Sequence, residues 1–178
     1  MKEILYHVDQ NEIKGFYFPV EIKVDKDNIE IGDYKFQSKT LSYMLSGLNF
    51  VYSYFMYLPT YNEKHHDLLH KAEMMLVSEV GFKKDTYSIF KPGLIVDWKE
   101  NEIKNFIDFI KLKSNADFIK VDESTSKVTP EYSSFGIMFE STLNSISCMF
   151  CDLLTCQYRR SPLDQKLIQE IYRREKTN

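Results

Sequence analysis

The sequence predicts an α+β fold: a small N-terminal antiparallel β-meander packed on a mostly α-helical body with one central buried helix. Three observations carry that reading. From Phe16 to Val24 apolar and polar side chains alternate, the period of a half-buried strand. Between Lys39 and Glu63 no residue carries a formal charge, so Ser38 to Leu58 reads as a helix covered on most sides. Further along the chain, apolar residues recur at helical spacing. At 178 residues with no repeat, low-complexity tract or long linker, residues 1–178 form one domain.

The strands come first. Val20, Ile22 and Val24 share one side, Glu21 and Lys23 the other, and Pro19 predicts an edge strand or a break near its start. Asp25-Lys26-Asp27-Asn28 is a turn, after which Ile29 and Ile31 resume the alternation. Gly32-Asp33 shifts the phase to Tyr34 and Phe36, which predicts a bulge or second tight turn. Ile4 to Ile13 can add a further strand.

The helices follow. Ser38 or Thr40 starts the central one and Pro59 stops it. Tyr43, Tyr52, Tyr54, Tyr57 and Tyr61 are spread along the uncharged stretch rather than gathered at its ends, which favours protein neighbours over a bilayer. A second helix is predicted from Asn62 to Val80, with Leu68, Leu69, Ala72, Met75 and Leu76 as its stripe and Gly81 closing it. Phe82 to Val96 reads as irregular, with Leu94-Ile95-Val96 a short strand. Asp97 with Glu100 resembles a capping box for a third helix that buries Ile103, Phe106, Ile107 and Ile110. Phe118 to Val121 is a candidate strand, and Asp122 to Thr129 a polar loop. Phe135, Phe139, Thr142, Ile146, Met149, Leu153 and Cys156 alternate four- and three-residue steps, the seam of a fourth helix starting at Thr129-Pro130 or Ser134. Ser161-Pro162 begins the last helix, docked by Leu163, Leu167, Ile168 and Ile171.

Composition limits the function. Thirteen Phe, twelve Tyr and one Trp make the chain aromatic-rich, and 26 acidic against 23 basic residues leave it mildly acidic. All four arginines (Arg159, Arg160, Arg173, Arg174) lie near the end, where they could meet phosphates, but an acidic body disfavours broad nucleic-acid binding. Cys148, Cys151 and Cys156, an odd number placed mid-helix by the seam, read as buried structural thiols rather than a disulfide framework or redox pair. Without an apolar signal core at Met1–Leu5, a reducing cytoplasm is expected.

The best chemical candidate is His66-Asp67-Leu68-Leu69-His70. Histidines four apart project from one side of a helix, and Glu73 follows one turn later. The arrangement resembles the paired-histidine helix of zinc peptidases, with Asp67 where a glutamate serves as general base. The helical rotation puts His66, His70 and Glu73 opposite the apolar stripe, on a solvated face. Acidic residues supply a second candidate: Glu21, Asp25, Asp27, Glu30 and Asp33 on the meander, then Asp97, Glu100, Asp122 and Glu123. A negative surface steers a basic protein into contact, and tyrosines beside it serve as anchors. There is no glycine-rich phosphate loop or nucleophile elbow, and no cofactor is expected.

In size, mild acidity, aromatic richness, A/T-type coding bias and lack of a catalytic set, the chain resembles bacterial immunity proteins, the antitoxins that neutralise a cognate secreted toxin. No motif carries the resemblance, so no site residue is transferred with it. It implies a cytosolic binder whose acidic, tyrosine-bearing surface occludes the basic cleft of a nuclease-like toxin. The rival expectation is a metal-dependent hydrolase using His66, His70 and Glu73.

Overall fold

The chain opens with a hairpin. β1 (Lys2–Val8) and β2 (Asn11–Asp25) are joined by Asp9-Gln10, both with positive φ (46° and 66°), as a two-residue turn between right-twisted strands requires. The computed structural model describes residues 1–83, 85–143 and 145–173. β2 runs on past the end of β1 and turns back into β3 (Asn28–Ile31). The phase shift at Gly32 is a tight turn with φ +58°, and β4 (Tyr34–Gln37) follows it. Next come α1 (Lys39–Leu45), β5 (Phe50–Tyr57), α2 (His65–Glu79), β6 (Tyr87–Phe90) and α3 (Glu102–Ser114). A short ribbon of β7 (Lys120–Val121) and β8 (Val128–Thr129), then β9 (Ser133–Glu140) and α4 (Gln165–Arg173), complete the order.

Seven strands form one sheet in the order β4-β3-β2-β5-β9-β6, with β1 alongside the first half of β2. Its ladders are antiparallel. Among the described residues the fold is therefore mixed, a mostly antiparallel sheet with four helices, and strand (33%) exceeds helix (27%), so the sheet rather than the helices forms the body. Among the described residues no helix is long and apolar enough to cross a membrane.

The expected Ser38–Leu58 helix is two elements. α1 ends at Leu45, Gly47 takes φ +84°, and the remainder is β5, which lies between β2 and β9. A strand covered on both faces has no polar side, so its alternation disappears and it mimics a buried helix. Val51 and Phe55 pack on one face of the sheet, Tyr54 and Met56 on the other, and all four are fully buried. The expected fourth helix fails for the same reason. Phe135, Ile137 and Phe139 lie on one face of β9, Ser134, Gly136 and Met138 on the other, and among the described residues that follow there is only a 3-10 turn at Ser147–Met149 before α4. Gly136 is required because a Cβ there would sit 2.3 Å from the Phe90 carbonyl oxygen of β6.

Two cores result, one per face. On the first, α1, α3 and α4 cover an aromatic layer in which Trp98 stacks on Phe36 (5.1 Å between centroids) and meets Phe106 edge-on (5.4 Å). On the second, α2 covers Ile4, Ile13, Tyr17, Tyr54, Met56 and Met138.

Pro19 belongs to β2, which pairs with β5 on one side throughout residues 14–21 and so is not an edge strand. Ile22 donates to the Asn49 carbonyl on the β5 side, so by alternation Pro19 turns its missing N–H the other way. On that side β1 has ended opposite Tyr17 and β3 begins only opposite Ile22.

Candidate functional site: a pocket beneath α2

α2 buries the wrong-seeming residue. Glu73 is four positions after Leu69 and four before Val77, inside the stripe that faces the sheet, and it is only 4% exposed. The expected stripe was centred one position off: Met75, assigned to it, is 41% exposed, and Val77 replaces it. Glu73 is thus not on a solvated face.

Around the Glu73 carboxylate the fold assembles donors from four elements. Lys91, just past β6, places its Nζ 2.5 Å away. The Tyr54 hydroxyl of β5 donates at 3.0 Å, the Ser134 hydroxyl of β9 also donates, and His70 Nδ1 lies 3.6 Å off. Burial by itself would raise the carboxyl's pKa. The Lys91 charge and the hydrogen bonds from His70, Lys91 and Ser134 outweigh it and push the value down to about 2. Burial, then the facing Glu73 charge, hold the Tyr54 phenol well above its ordinary value.

This network floors a pocket of about 370 Å³, a size suited to a small ligand or an inserted side chain. Leu69, Ile89, Ile103, Phe135, Ile146 and Leu153 supply apolar wall. The outer wall is the segment from 146 to 160, shaped by Arg159. Its guanidinium donates to the carbonyls of Cys148 (2.7 Å), Cys151 (2.8 Å), Leu153 (3.0 Å) and Ser161 (3.1 Å). The segment is tied to α2 where Tyr158 stacks on His66 (3.6 Å) and Arg160 donates to the His66 carbonyl (3.0 Å). Burial, then the nearby charges of His65, Lys91 and Arg160, lower the His66 pKa and favour its neutral form. Of the lining residues Leu94, Leu153 and Tyr158 are exposed and mark the mouth.

The sequence candidates are distributed as follows. His70 and Glu73 meet, but His66 stacks against Tyr158 instead of converging with them. Among the described residues no group of three or more His, Cys, Asp or Glu is placed to hold a metal ion. The three cysteines are half-buried free thiols lining the pocket, Cys148 in the short 3-10 turn and Cys151 and Cys156 on irregular chain, and none lies on the expected long helix.

The acidic candidates do not form one face. Glu30 pairs with Lys35 (2.7 Å) and Asp33 with Lys113 (2.7 Å), while Glu21 and Asp25 are exposed on β2. Asp27 gives its carbonyl to the Ser38 N–H. Asp122 accepts from Ser124 and Thr125 in its own turn, and Glu123 lies 3.8 Å from Lys104. Asp97 does not open α3, whose N-cap is Asn101 without a side-chain bond, and Glu100 is exposed before it. Asp97 instead accepts from Ser38 Oγ (2.9 Å), the Thr40 N–H (3.0 Å) and the Tyr172 hydroxyl (2.9 Å), tying α1 to α4. Of the arginines, Arg159 is consumed by carbonyls and Arg173 ends α4; Arg174 lies outside the described residues.

Sequence reasoning missed Lys91, Ser134 and Tyr54 because each comes from a different, distant element. The available signal was Glu73 at the i+4 position from Leu69. No protein-family model, curated protein or solved structure matches the chain.

Chemically the floor is a fixed charge pair rather than a poised acid or base. An ionised carboxylate already accepting several hydrogen bonds has little proton affinity near neutrality, and Ser134 spends its proton on it.

Proposed function

We propose that this chain acts by stoichiometric binding of another protein, in the manner of immunity proteins, with the α2 pocket as the socket for an inserted side chain. The observation that carries the reading is a pocket whose charged floor is internally satisfied while its lining exposes Leu94, Leu153 and Tyr158. Such a combination favours anchoring over turnover: interfaces draw their affinity from a few aromatic and apolar contacts at a desolvated centre. The partner in this reading is a cognate toxin met in the cytoplasm, which the chain neutralises by covering its active site. The contact moves from the acidic flank to the socket, since Glu30 and Asp33 are paired with lysines, and Asp97 and Asp122 serve local structure. The remaining exposed acids, Glu21, Asp25 and Glu100, contribute steering of a basic partner.

The test is co-expression with the product of the reading frame beside this gene, followed by calorimetry of the purified pair. The expected result is a one-to-one complex and rescue of growth. Leu153→Asp and Tyr158→Ala should each weaken binding roughly tenfold or more, while Asp25→Asn changes mainly the association rate. Turnover of a small substrate by the chain alone would overturn the reading.

A further inference from the structure

The edges of the sheet are not treated alike. Beyond β6 the chain comes back to cover it, with Ile89 donating to the Ser145 carbonyl (3.2 Å) and bridging Ile146 in parallel. β4 is only four residues long. β1 has seven residues, no proline and an unbroken register with β2, and among the described residues no strand pairs with its outer side. Sheets usually guard such an edge with a bulge, a proline, a covering segment or charged side chains, and of these β1 carries only the charges of Lys2 and Glu3.

The hairpin turn fixes which groups face out. In a two-residue hairpin the flanking pair, Val8 and Asn11, exchanges hydrogen bonds, so alternate residues Tyr6, Ile4 and Lys2 also direct their main chain at β2. The N–H and C=O groups of Glu3, Leu5 and His7 are therefore the outward ones. Ile4 and Val8 pack beneath α2, which puts the side chains of Glu3, Leu5 and His7 on the opposite, uncovered face. All three are exposed, Leu5 by 58%.

We infer that β1 pairs antiparallel with β1 of a second copy of this chain about a two-fold axis at Leu5, joining the two sheets into one. The occupant follows from self-complementarity. Centring on Leu5 sets Leu5 against Leu5 and Glu3 against His7 twice, and engages every outward residue in about six main-chain bonds. Centring on Glu3 opposes like carboxylates, and centring on His7 runs Leu5 into the partner's turn residue Asp9. Centring on Ile4 opposes Glu3 to Leu5 and centring on Tyr6 opposes Leu5 to His7, so each forfeits the Glu3–His7 match and leaves one outward residue without a partner inside β1, and a one-residue slip turns each apolar side chain to the wrong face. In the favoured register each His7 also lies between Glu3 of the other copy and Glu12, its neighbour on β2. Edge pairing alone buries a small area, so the dimer is a weak, concentration-dependent one.

Sedimentation velocity of the full chain over a concentration series tests this. The expected result is reversible growth from 21.1 kDa to twice that mass. Leu5→Pro removes one outward N–H and leaves the β1–β2 ladder intact, so it should give a monomer at every concentration with an unchanged circular dichroism spectrum. Should that variant misfold, a charge exchange decides the matter. Glu3→Lys should raise the dimer dissociation constant about tenfold or more, and adding His7→Glu should restore it. A wild-type chain that stays monomeric throughout, a dimer that survives Leu5→Pro, or a Glu3→Lys effect that His7→Glu fails to reverse would each overturn the inference.

Discussion

The two faces of the sheet solve the same packing problem by opposite means. Beneath α1, α3 and α4 the core is aromatic and nearly free of charge, and its polar tips find neutral or surface partners, as when Trp98 Nε1 donates to the Tyr34 hydroxyl (2.9 Å). Beneath α2 an ionised carboxylate and a lysine replace what apolar side chains could have filled, and a pocket opens beside them. Buried charge pairs seldom add net stability over a well-packed apolar substitute, and breaking one is costly. The contrast teaches that one face is held by aromatic packing alone, whereas the α2 face carries a buried charge pair that packing does not require.

The comparison breaks first at Lys91. Lys91→Met leaves Glu73 buried without its counter-charge and should cost about 3–5 kcal/mol in urea unfolding. The double variant Lys91→Met/Glu73→Leu should recover most of that loss; equal losses in the single and double variants would mean that the charge pair is not what distinguishes this face. On the other face Phe106→Ala, which empties a fully buried ring position, should also cost about 3–5 kcal/mol, with no recovery available from a second substitution.

Acid sharpens the contrast. The folded-state pKa of Glu73 is depressed to about 2 from an ordinary value near 4.5, so the unfolded chain binds its proton first as pH falls. The stability Glu73 contributes is therefore complete above pH 4.5 and is lost progressively toward pH 2, by about 3 kcal/mol at most. Denaturation midpoints across that window should flatten in Glu73→Gln and keep their slope in Phe106→Ala. The smallest effect is expected at Ser53, a fully buried hydroxyl on β5 that has no hydrogen-bond partner among the described residues. Ser53→Ala should leave stability unchanged or raise it by up to about 1 kcal/mol, seen as a small rise in Tm.

What could be read in advance divides along physical lines. β2 was legible because the stretch after Pro19 keeps one polar side, and the turns at Lys26 and Gly32 because few residues suit their backbone. β5 and β9 were not, since burial on both faces erases the alternation that marks a strand. The site was legible only as the His70–Glu73 neighbourhood. Its depth depends on the rotational phase of α2, which an error of one residue turns from core to solvent, and its cation comes from beyond β6. Asp97 shows the same limit: a local motif suggested one helix start, and the tertiary fold gave its carboxylate to another.

Pro19 carries a consequence for how the sheet is assembled. The notch it marks divides one long rim of β2 into two separate berths, one extended by the first hairpin and one by the third and fourth strands. No single strand can hydrogen-bond along that whole rim, and the chain fills its two parts with separate strands, β1 and β3.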